Sequence, residues 1–321
     1  MRVQWGILGT GKIASKFASE FQFIANSKIH SVASRSLEKA KSFARDHNID
    51  TYFGCYQELL KEPEIDAIYI ATPHSLHCEN TLAALKNDKS VLCEKPLAMN
   101  LKEVNLMTNK AKEKELLLME GLWTAFLPHF QFVLRHIKTG QLGKLQSLTA
   151  DFGFPITENP HSRLYKKSLG GGSLLDIGIY PVFLALSCMG KPESIDARAD
   201  FFENGVDKSC EITFKYNDGR EAILSSTFAK HTPTEAILKF EKGDLKINSR
   251  FHEPTSLELI TYPKQQSIKF PARGIGYSYE IEHFNELIRN KETQSPIMSY
   301  QMSSELMSIL DRIRAKIGLV Y

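Results

Sequence analysis

The stretch GILGTGKIA, residues 6–14, decides the reading of the fold. Gly9, Gly11 and Ala14 stand in a G-x-G-x-x-A spacing, directly after the apolar run VQWGIL and at the start of a stripe formed by Ile13, Ala14, Phe17, Ala18 and Phe21. A strand that turns into an amphipathic helix through such a spacing has a physical purpose at each small residue. The first glycine permits a tight turn, the second lets backbone approach a pyrophosphate, and the third small residue allows close helix-to-strand packing. Backbone N–H groups at the helix N-terminus then hold the anion. Gly9, Thr10, Gly11, Lys12 and Ile13 are therefore expected to bind a dinucleotide.

Outward from this turn, residues 2 to about 120 alternate short apolar runs with amphipathic helical patterns, the signature of βαβ units in a doubly wound parallel sheet. KIHSVAS, IDAIYIAT and SVLCEKP read as further strands, and Asn100 with Glu103 reads as a capping box at a helix start. After EGLWTAFLPHF the grammar changes. An apolar helix near 173–189 is followed by alternating strands. In IDARADF, Ile195, Ala197, Ala199 and Phe201 share one face, and the NDG at 217–219 marks a hairpin turn. The expected organisation is a Rossmann dinucleotide-binding domain over 1–121 and an α+β domain with an open, mostly antiparallel sheet over 122–321. The last helix, about 300–317, is free to pack back on the first domain.

Composition narrows the function classes. A chain of 321 residues supports two sizeable cores, and 42% hydrophobic with 24% charged residues fits a globular protein. The net charge of +3, with lysines scattered among acids, gives no electrostatic footprint for nucleic acid. The five cysteines, Cys55, Cys78, Cys93, Cys188 and Cys210, are odd in number and form no CxxC pair, so reduced thiols in a cytoplasmic setting are expected. SLLDIGIYPVFLALSCMG is the most apolar run, but it carries Asp176 and Pro181 and reads as too short for a bilayer, so no membrane partner is expected.

The second strand selects the dinucleotide. An NAD site offers an acid to the ribose hydroxyl at this point, whereas here the chain reads VASRSLEKA, with Ser34 and Arg35 in the place and Glu38 already inside the helix. A guanidinium suits a 2′-phosphate, which makes NADP the expected cofactor with NAD as the alternative; the plain alternative for Arg35 is a solvated surface charge. ATPHSLH and CEKP end two more strands, where open α/β sheets bind ligands, so Thr72, Pro73, His74, His77, Glu94 and Lys95 face the expected cofactor crevice. His74 and His77 lack an accompanying ligand set at familiar spacing, and no metal site is expected.

GGGSLLDIGIYP, residues 170–181, poses a separate question. If the segment is helical, Asp176 and Tyr180 lie one turn apart on one face and reach into one cleft. The plain alternative is a helix-capping aspartate and a buried, hydrogen-bonded tyrosine. Pro181 complicates the geometry: it kinks a continuous helix or marks the start of a new one.

Taken together, the N-terminal glycine spacing, ATPHSLH, CEKP and GGGSLLDIGIYP resemble the glucose-fructose oxidoreductase, inositol dehydrogenase and MocA family over essentially the whole chain. MEGLWTAFLPHF and the tyrosine form of the helix motif are most similar to its branch of dimeric dihydrodiol dehydrogenases and NADP-linked aldose dehydrogenases. The resemblance implies hydride transfer between nicotinamide and a hydroxyl or carbonyl carbon, with Lys95, Asp176 and Tyr180 as the catalytic group. It also implies a substrate pocket including Trp123, Phe154 and Arg163, and a homodimer built on the C-terminal sheet. The inositol dehydrogenase branch carries a histidine where Tyr180 stands and a second aspartate where Phe183 stands, so an aldose or a cyclic trans-diol is expected as substrate rather than such a polyol.

A free tyrosine, with a pKa near about 10, is ionised in only about one molecule in a thousand at neutral pH, so Tyr180 needs nearby positive charge to serve as a base. Two alternatives share the fold: a dinucleotide-binding regulator without catalysis, and an NAD-dependent glycosidase in which redox is transient.

Overall fold

A computed structural model describes residues 2–321, which form two compact units. One unit comprises the chain up to Phe126 together with Arg273–Ser304; the other comprises Leu127–Ala272 and Glu305–Tyr321. The sequence pattern places residues 273–299 in the second domain and leaves the last helix, about 300–317, free to pack on the first, whereas here Arg273–Ser304 groups with the first unit and Glu305–Tyr321 with the second.

In the first unit β1 (Val3–Leu8), α1 (Lys12–Ser19), β2 (Ser27–Ala33), α2 (Leu37–Asp46), β3 (Thr51–Phe53), α3 (Tyr56–Leu60), β4 (Ala67–Ile70), α4 (His77–Lys86), β5 (Ser90–Glu94), α5 (Leu101–Lys114) and β6 (Leu118–Gly121) follow in order. The strands form one parallel sheet in the order β3-β2-β1-β4-β5-β6. The strand order reverses direction beside β1, and in such sheets ligands bind outside the carboxyl ends of the strands at that switch. Strand β4 is buried along its whole length, as a sheet covered on both faces requires.

The capping box forms: Asn100 Oδ1 accepts from the Glu103 N–H at 3.0 Å. Glu103 reaches back one residue further than the motif predicts, accepting from the Met99 N–H at 3.0 Å.

The returning segment belongs here because of aromatic packing and one hydrogen bond. Trp5 is fully buried; its indole N–H donates to Asn285 at 3.0 Å, and its ring meets Phe284, with centroids 5.0 Å apart. Glu20 then caps the helix that carries both partners, as its carboxylate accepts from the N–H groups of Ile275, Gly276 and Ser278 at 3.0, 3.1 and 3.1 Å. An anion there satisfies orphan donors and complements the helix dipole.

The second unit holds α6 (Pro128–Thr139), β7 (Leu145–Gly153) and α7 (Ile179–Met189). These are followed by β8 (Ser194–Phe201), β9 (Asp207–Lys215), β10 (Glu221–Thr227), β11 (Ala236–Phe240), β12 (Gly243–Ile247), β13 (Leu257–Thr261) and β14 (Lys264–Ile268). The eight strands pair in the order β14-β13-β12-β11-β7-β10-β9-β8, antiparallel except for the parallel pair β7 and β10. Helices α8 (Tyr277–Arg289) and α9 (Tyr300–Ile317) complete the chain. The hairpin turn at 217–219 is present, with Gly219 at φ +82°.

Two expectations need correction. On β8, Ile195 is buried but Phe201 is 41% exposed, because the register shifts between Asp200 and Phe201 and the bulge takes Phe201 off the inner face. The apolar run is also longer than expected. The helical run Lys167–Met189 is long and apolar enough to cross a membrane by length and composition, yet 94% of its apolar window is buried inside the protein, as in a core helix.

Candidate active site

In the first unit the glycine loop is shaped by two opposite constraints. Gly9 has φ +104°, and a Cβ there would lie 2.7 Å from the Ala71 carbonyl oxygen, so only glycine fits. Gly11 is the N-cap of α1, and a Cβ on it would meet nothing within 4 Å. The space over the helix N-terminus is thus open to a ligand, with unpaired N–H groups beneath it. Ala14 is buried against the sheet, whereas Thr10 and Ile13 are half-buried and Lys12 is exposed.

Ser34 closes the end of β2: its hydroxyl accepts from Thr10 at 3.5 Å and from the Ser36 N–H at 3.4 Å. Arg35 is exposed and hydrogen-bonds Tyr56; burial pushes the Tyr56 phenol up, and the guanidinium opposes that shift.

The two strand-end motifs are tied together by one ring. His77 is fully buried, with Nδ1 2.8 Å from the Pro96 carbonyl and Nε2 2.9 Å from the Thr72 carbonyl, so it braces the loops after β4 and β5. The Thr72 hydroxyl accepts from Asn80 at 3.1 Å, Pro73 precedes the 3-10 turn His74–Leu76, and the His74 ring lies 5.7 Å from that of His77. No group of three or more His, Cys, Asp or Glu suited to a metal occurs among the described residues.

Lys95 follows the last residue of β5 and is half-buried. Glu94 before it is buried, accepts a short hydrogen bond from Tyr69 and accepts the Lys95 N–H at 3.2 Å. Two further carboxyls are buried nearby. Burial pushes Glu120 up to about 7 despite hydrogen bonds from Ser303 and Leu97, and pushes the fully buried Glu280 well up, with Glu94 adding to the shift. Trp123 is buried, its ring stacked on Tyr277 with centroids 4.5 Å apart.

The second unit answers the question raised by residues 170–181. Leu174–Gly178 is a π-helical turn that runs directly into α7, so the helix neither starts at Pro181 nor breaks there. Asp176 sits in the π turn and Tyr180 in the first turn of α7, both buried at 6% and 7% exposure. Arg163 binds Asp176 at 2.8 Å. Phe154 is half-buried, 5.3 Å from Phe228 and 6.0 Å from Phe152 between ring centroids.

The glycines are there for lack of room. Gly172 has φ +123° and a Cβ on it would fall 1.9 Å from Asp207 Oδ1; one on Gly171 would fall 2.7 Å from the Arg163 carbonyl. Asp207 caps the helical run, accepting from the Ser173 hydroxyl at 2.9 Å and the Leu174 N–H at 2.6 Å. The capping aspartate of the plain alternative therefore exists, but it is Asp207 and not Asp176. Tyr321 donates to the Gly171 carbonyl at 2.8 Å.

Sequence reasoning missed Tyr277, Asp207, Phe152 and His252. The rings of Phe152 and His252 lie 5.8 and 4.8 Å from that of Tyr180. Only Asp207, at the head of an alternating strand, left a local signal.

Comparison with known proteins agrees with this layout. Residues 3–122 match the GFO/IDH/MocA oxidoreductase family with its NAD-binding Rossmann fold, and residues 130–246 match the GFO/IDH/MocA C-terminal domain. The chain is 37% identical over 333 residues to a trans-1,2-dihydrobenzene-1,2-diol dehydrogenase of Xenopus laevis, covering 100% of both, and 32% identical to that of Mus musculus, covering 100% of this chain and 98% of the relative. An aldose-aldose oxidoreductase from Caulobacter crescentus has the same fold, with a TM-score of 0.91 at 22% identity over 99% of this chain and 98% of that one. So does a 3-ketoreductase from Actinomadura kijaniata in complex with NADP, with a TM-score of 0.90 at 24% identity over the same shares. The glycine loop, the two strand-end motifs and the Asp176–Tyr180 helix thus sit in a chain that belongs to the GFO/IDH/MocA oxidoreductase family.

Proposed function

We propose that this chain is an NADP-preferring dehydrogenase that oxidises a CH–OH carbon of a cyclic trans-diol or an aldose, with Tyr180 as its proton-transfer residue. The observation that carries the reading is that one buried helix presents Tyr180 a turn after Asp176, the latter engaged by Arg163, in a chain aligned end to end with trans-diol dehydrogenases.

The residues present fit a dinucleotide, since Gly11 leaves open the space over the α1 N-terminus that a pyrophosphate needs. Gly9, Thr10, Gly11, Lys12 and Ile13 would hold the pyrophosphate, Ser34 and Arg35 the ribose 2′-phosphate, and Thr72, Pro73, His74, Glu94 and Lys95 the nicotinamide end, whereas the expected contact from His77 is corrected to a brace, its ring being fully buried and engaged at both nitrogens. When bound, the nicotinamide supplies the hydride acceptor.

The protein contributes the proton and the orientation. Tyr180 takes the hydroxyl proton as the C–H bond breaks and returns it in the reductive direction. Lys95 supplies positive charge, and Asp176, itself held by Arg163, fixes a substrate hydroxyl. Trp123, Phe154 and Arg163 serve the substrate pocket, and apolar ring faces suit the carbon face of a cyclic diol.

The reading extends to a cytoplasmic homodimer built on the outer face of the second unit's sheet. Free cysteines and the 52% exposed Ile223 on β10 support it, and light scattering reads the assembly directly.

The test is a screen of trans-diols and aldoses with NADP+ and NAD+, following reduced nicotinamide, in the wild type and in Tyr180→Phe. The variant keeps the ring and its packing, and turnover should fall by about 100- to 10,000-fold with cofactor affinity intact. Retained turnover in Tyr180→Phe would overturn the assignment. Hydrolysis of a glycoside without net cofactor reduction would replace the dehydrogenase reading with the glycosidase one.

A further inference from the structure

Tyr180 shares its pocket with a second titratable side chain. The His252 imidazole stacks on Phe152 with centroids 4.1 Å apart and an interplanar angle of 28°, and is tilted at 43° to the Tyr180 ring 4.8 Å away. It is only 4% exposed. Its turn is fixed from both sides: Phe251 is fully buried, its N–H donates to the Thr234 carbonyl at 3.1 Å, and its own carbonyl lies 2.9 Å from His129 Nε2. A histidine held so firmly against a tyrosine is poorly explained by packing alone, because a phenylalanine would fill the same stack without a desolvated polar ring.

The charges around it give the ring a use. Glu253 Oε1 lies 3.6 Å from His252 Nε2, and Arg250 grips the same carboxylate through two bonds. Burial pushes the Glu253 carboxyl up, but hydrogen bonds from His252 and Arg250 outweigh it and hold it down to about 2. Since Arg250 already neutralises Glu253, a proton on His252 adds net positive charge beside Tyr180.

The titratable groups on the elements that adjoin α7 in this unit are engaged in other ways. From α6, burial pushes His129 down to about 4 despite its bond to Phe251, which leaves it neutral. On β7, Asp151 accepts from the Thr234 N–H at 2.8 Å. The β10 side brings Ser226 against Gly178, and the preceding turn brings Asp176 with Arg163 already paired to it.

We infer that His252, braced by Glu253, is a positioning residue for Tyr180: it holds the phenol ring and lends the positive charge that favours the phenolate as the substrate proton is taken. The inference rests on the reading of Tyr180 as the proton-transfer residue.

The test uses the full chain labelled with 13Cζ-tyrosine, the Tyr180 signal being identified by its loss in Tyr180→Phe. In His252→Phe and His252→Gln the Tyr180 titration midpoint should rise by about one unit over the wild type. Turnover at neutral pH should fall about tenfold with the substrate KM little changed, and the alkaline limb of the kcat profile should follow the midpoint. Gln keeps a polar side chain without the charge, so a merely structural role would be rescued by it; should Phe fail to fold, Gln reads the same quantity. Equal midpoints in the wild type and His252→Gln overturn the inference, as does a wild-type Tyr180 that fails to titrate below its ordinary value. If Tyr180→Phe is inactive while the midpoints coincide, only the role of His252 falls. If Tyr180→Phe retains turnover, the functional reading falls first.

Discussion

Both units carry a glycine-rich turn into a helix, and the two turns use glycine for opposite reasons. At Gly11 nothing lies within 4 Å of where a Cβ would stand, and the room belongs to something outside the chain. At Gly172 the same space is already taken by the Asp207 carboxylate, 1.9 Å away. Here the open glycine lies at a helix N-terminus suited to an anion, whereas the crowded one is a packing constraint. Substitution should therefore separate ligand affinity from folding, and the comparison fails if it does not.

The largest effect is expected at the crowded turn. Gly172→Ala meets both a left-handed φ of +123° and the Asp207 carboxylate, so it should cost about 4 kcal/mol or more in urea unfolding. A variant with wild-type stability would show that the turn relaxes easily and that its glycines are not there for space.

The next test concerns the carboxyl that occupies that space. Burial raises Asp207 from 3.8 to about 7, against hydrogen bonds from Leu174 and Ser173 that pull it down. A carboxyl whose folded pKa is raised holds its proton in the native state where the unfolded chain has lost it. Its contribution is therefore greatest below about 4 and is lost as pH climbs toward about 7. Asp207→Asn should remove a slope on the order of 3 kcal/mol across that window, measured by unfolding at a series of pH values. Glu120 in the first unit, also raised to about 7, has the same sign, so part of the slope should survive in the variant. An unchanged slope would remove Asp207 from the account.

At the open turn the consequence moves from stability to binding. Gly11→Ala should unfold within about 1 kcal/mol of the wild type, the helix-start cost of alanine being small. Its dinucleotide affinity by fluorescence titration should nevertheless fall about tenfold or more, because the methyl occupies the approach to the α1 N-terminus. The smallest effect is Arg35→Ala, which leaves the loop intact and removes one exposed guanidinium. NADP should bind several-fold to about tenfold more weakly while NAD is nearly unaffected. Equal loss for both cofactors would assign Arg35 to its contact with Tyr56 alone.

How far each region was legible follows from the range of its contacts. The glycine loop, the Asn100 cap and the parallel strands are set by residues within a few positions of one another, and the spacing alone shows them. Asp207 caps a helix 33 residues upstream, and Trp5 donates to a residue 280 positions away. No periodicity encodes such pairs, so the return of Arg273–Ser304 to the first unit was invisible in the sequence. His252 lies in a turn with neither strand nor helix pattern, and its partners Phe152 and Tyr180 come from a strand and a helix far upstream. Phe201 was misread for a subtler cause: alternation assumes an unbroken register, and a single bulge at Asp200 reverses the sides.

The π turn at Leu174–Gly178 carries a consequence for how this protein can change over evolutionary time. A π turn is an α-helix with one residue too many, and each residue of a helix advances the facing direction by about 100°. The offset between Asp176, inside the turn, and Tyr180, just after it, is thus set by the number of residues in the turn as well as by the side chains around them. A π turn absorbs its extra residue locally, so loss of one residue between 174 and 178 would regularise the helix while Tyr180 and later positions keep their face; what changes is the offset of Asp176 from Tyr180. Substitution within the segment is confined by Asp176 and by Gly178, where a Cβ would lie 2.9 Å from the Ser226 hydroxyl, and the length of the segment is a further heritable trait that fixes the spacing of Asp176 and Tyr180.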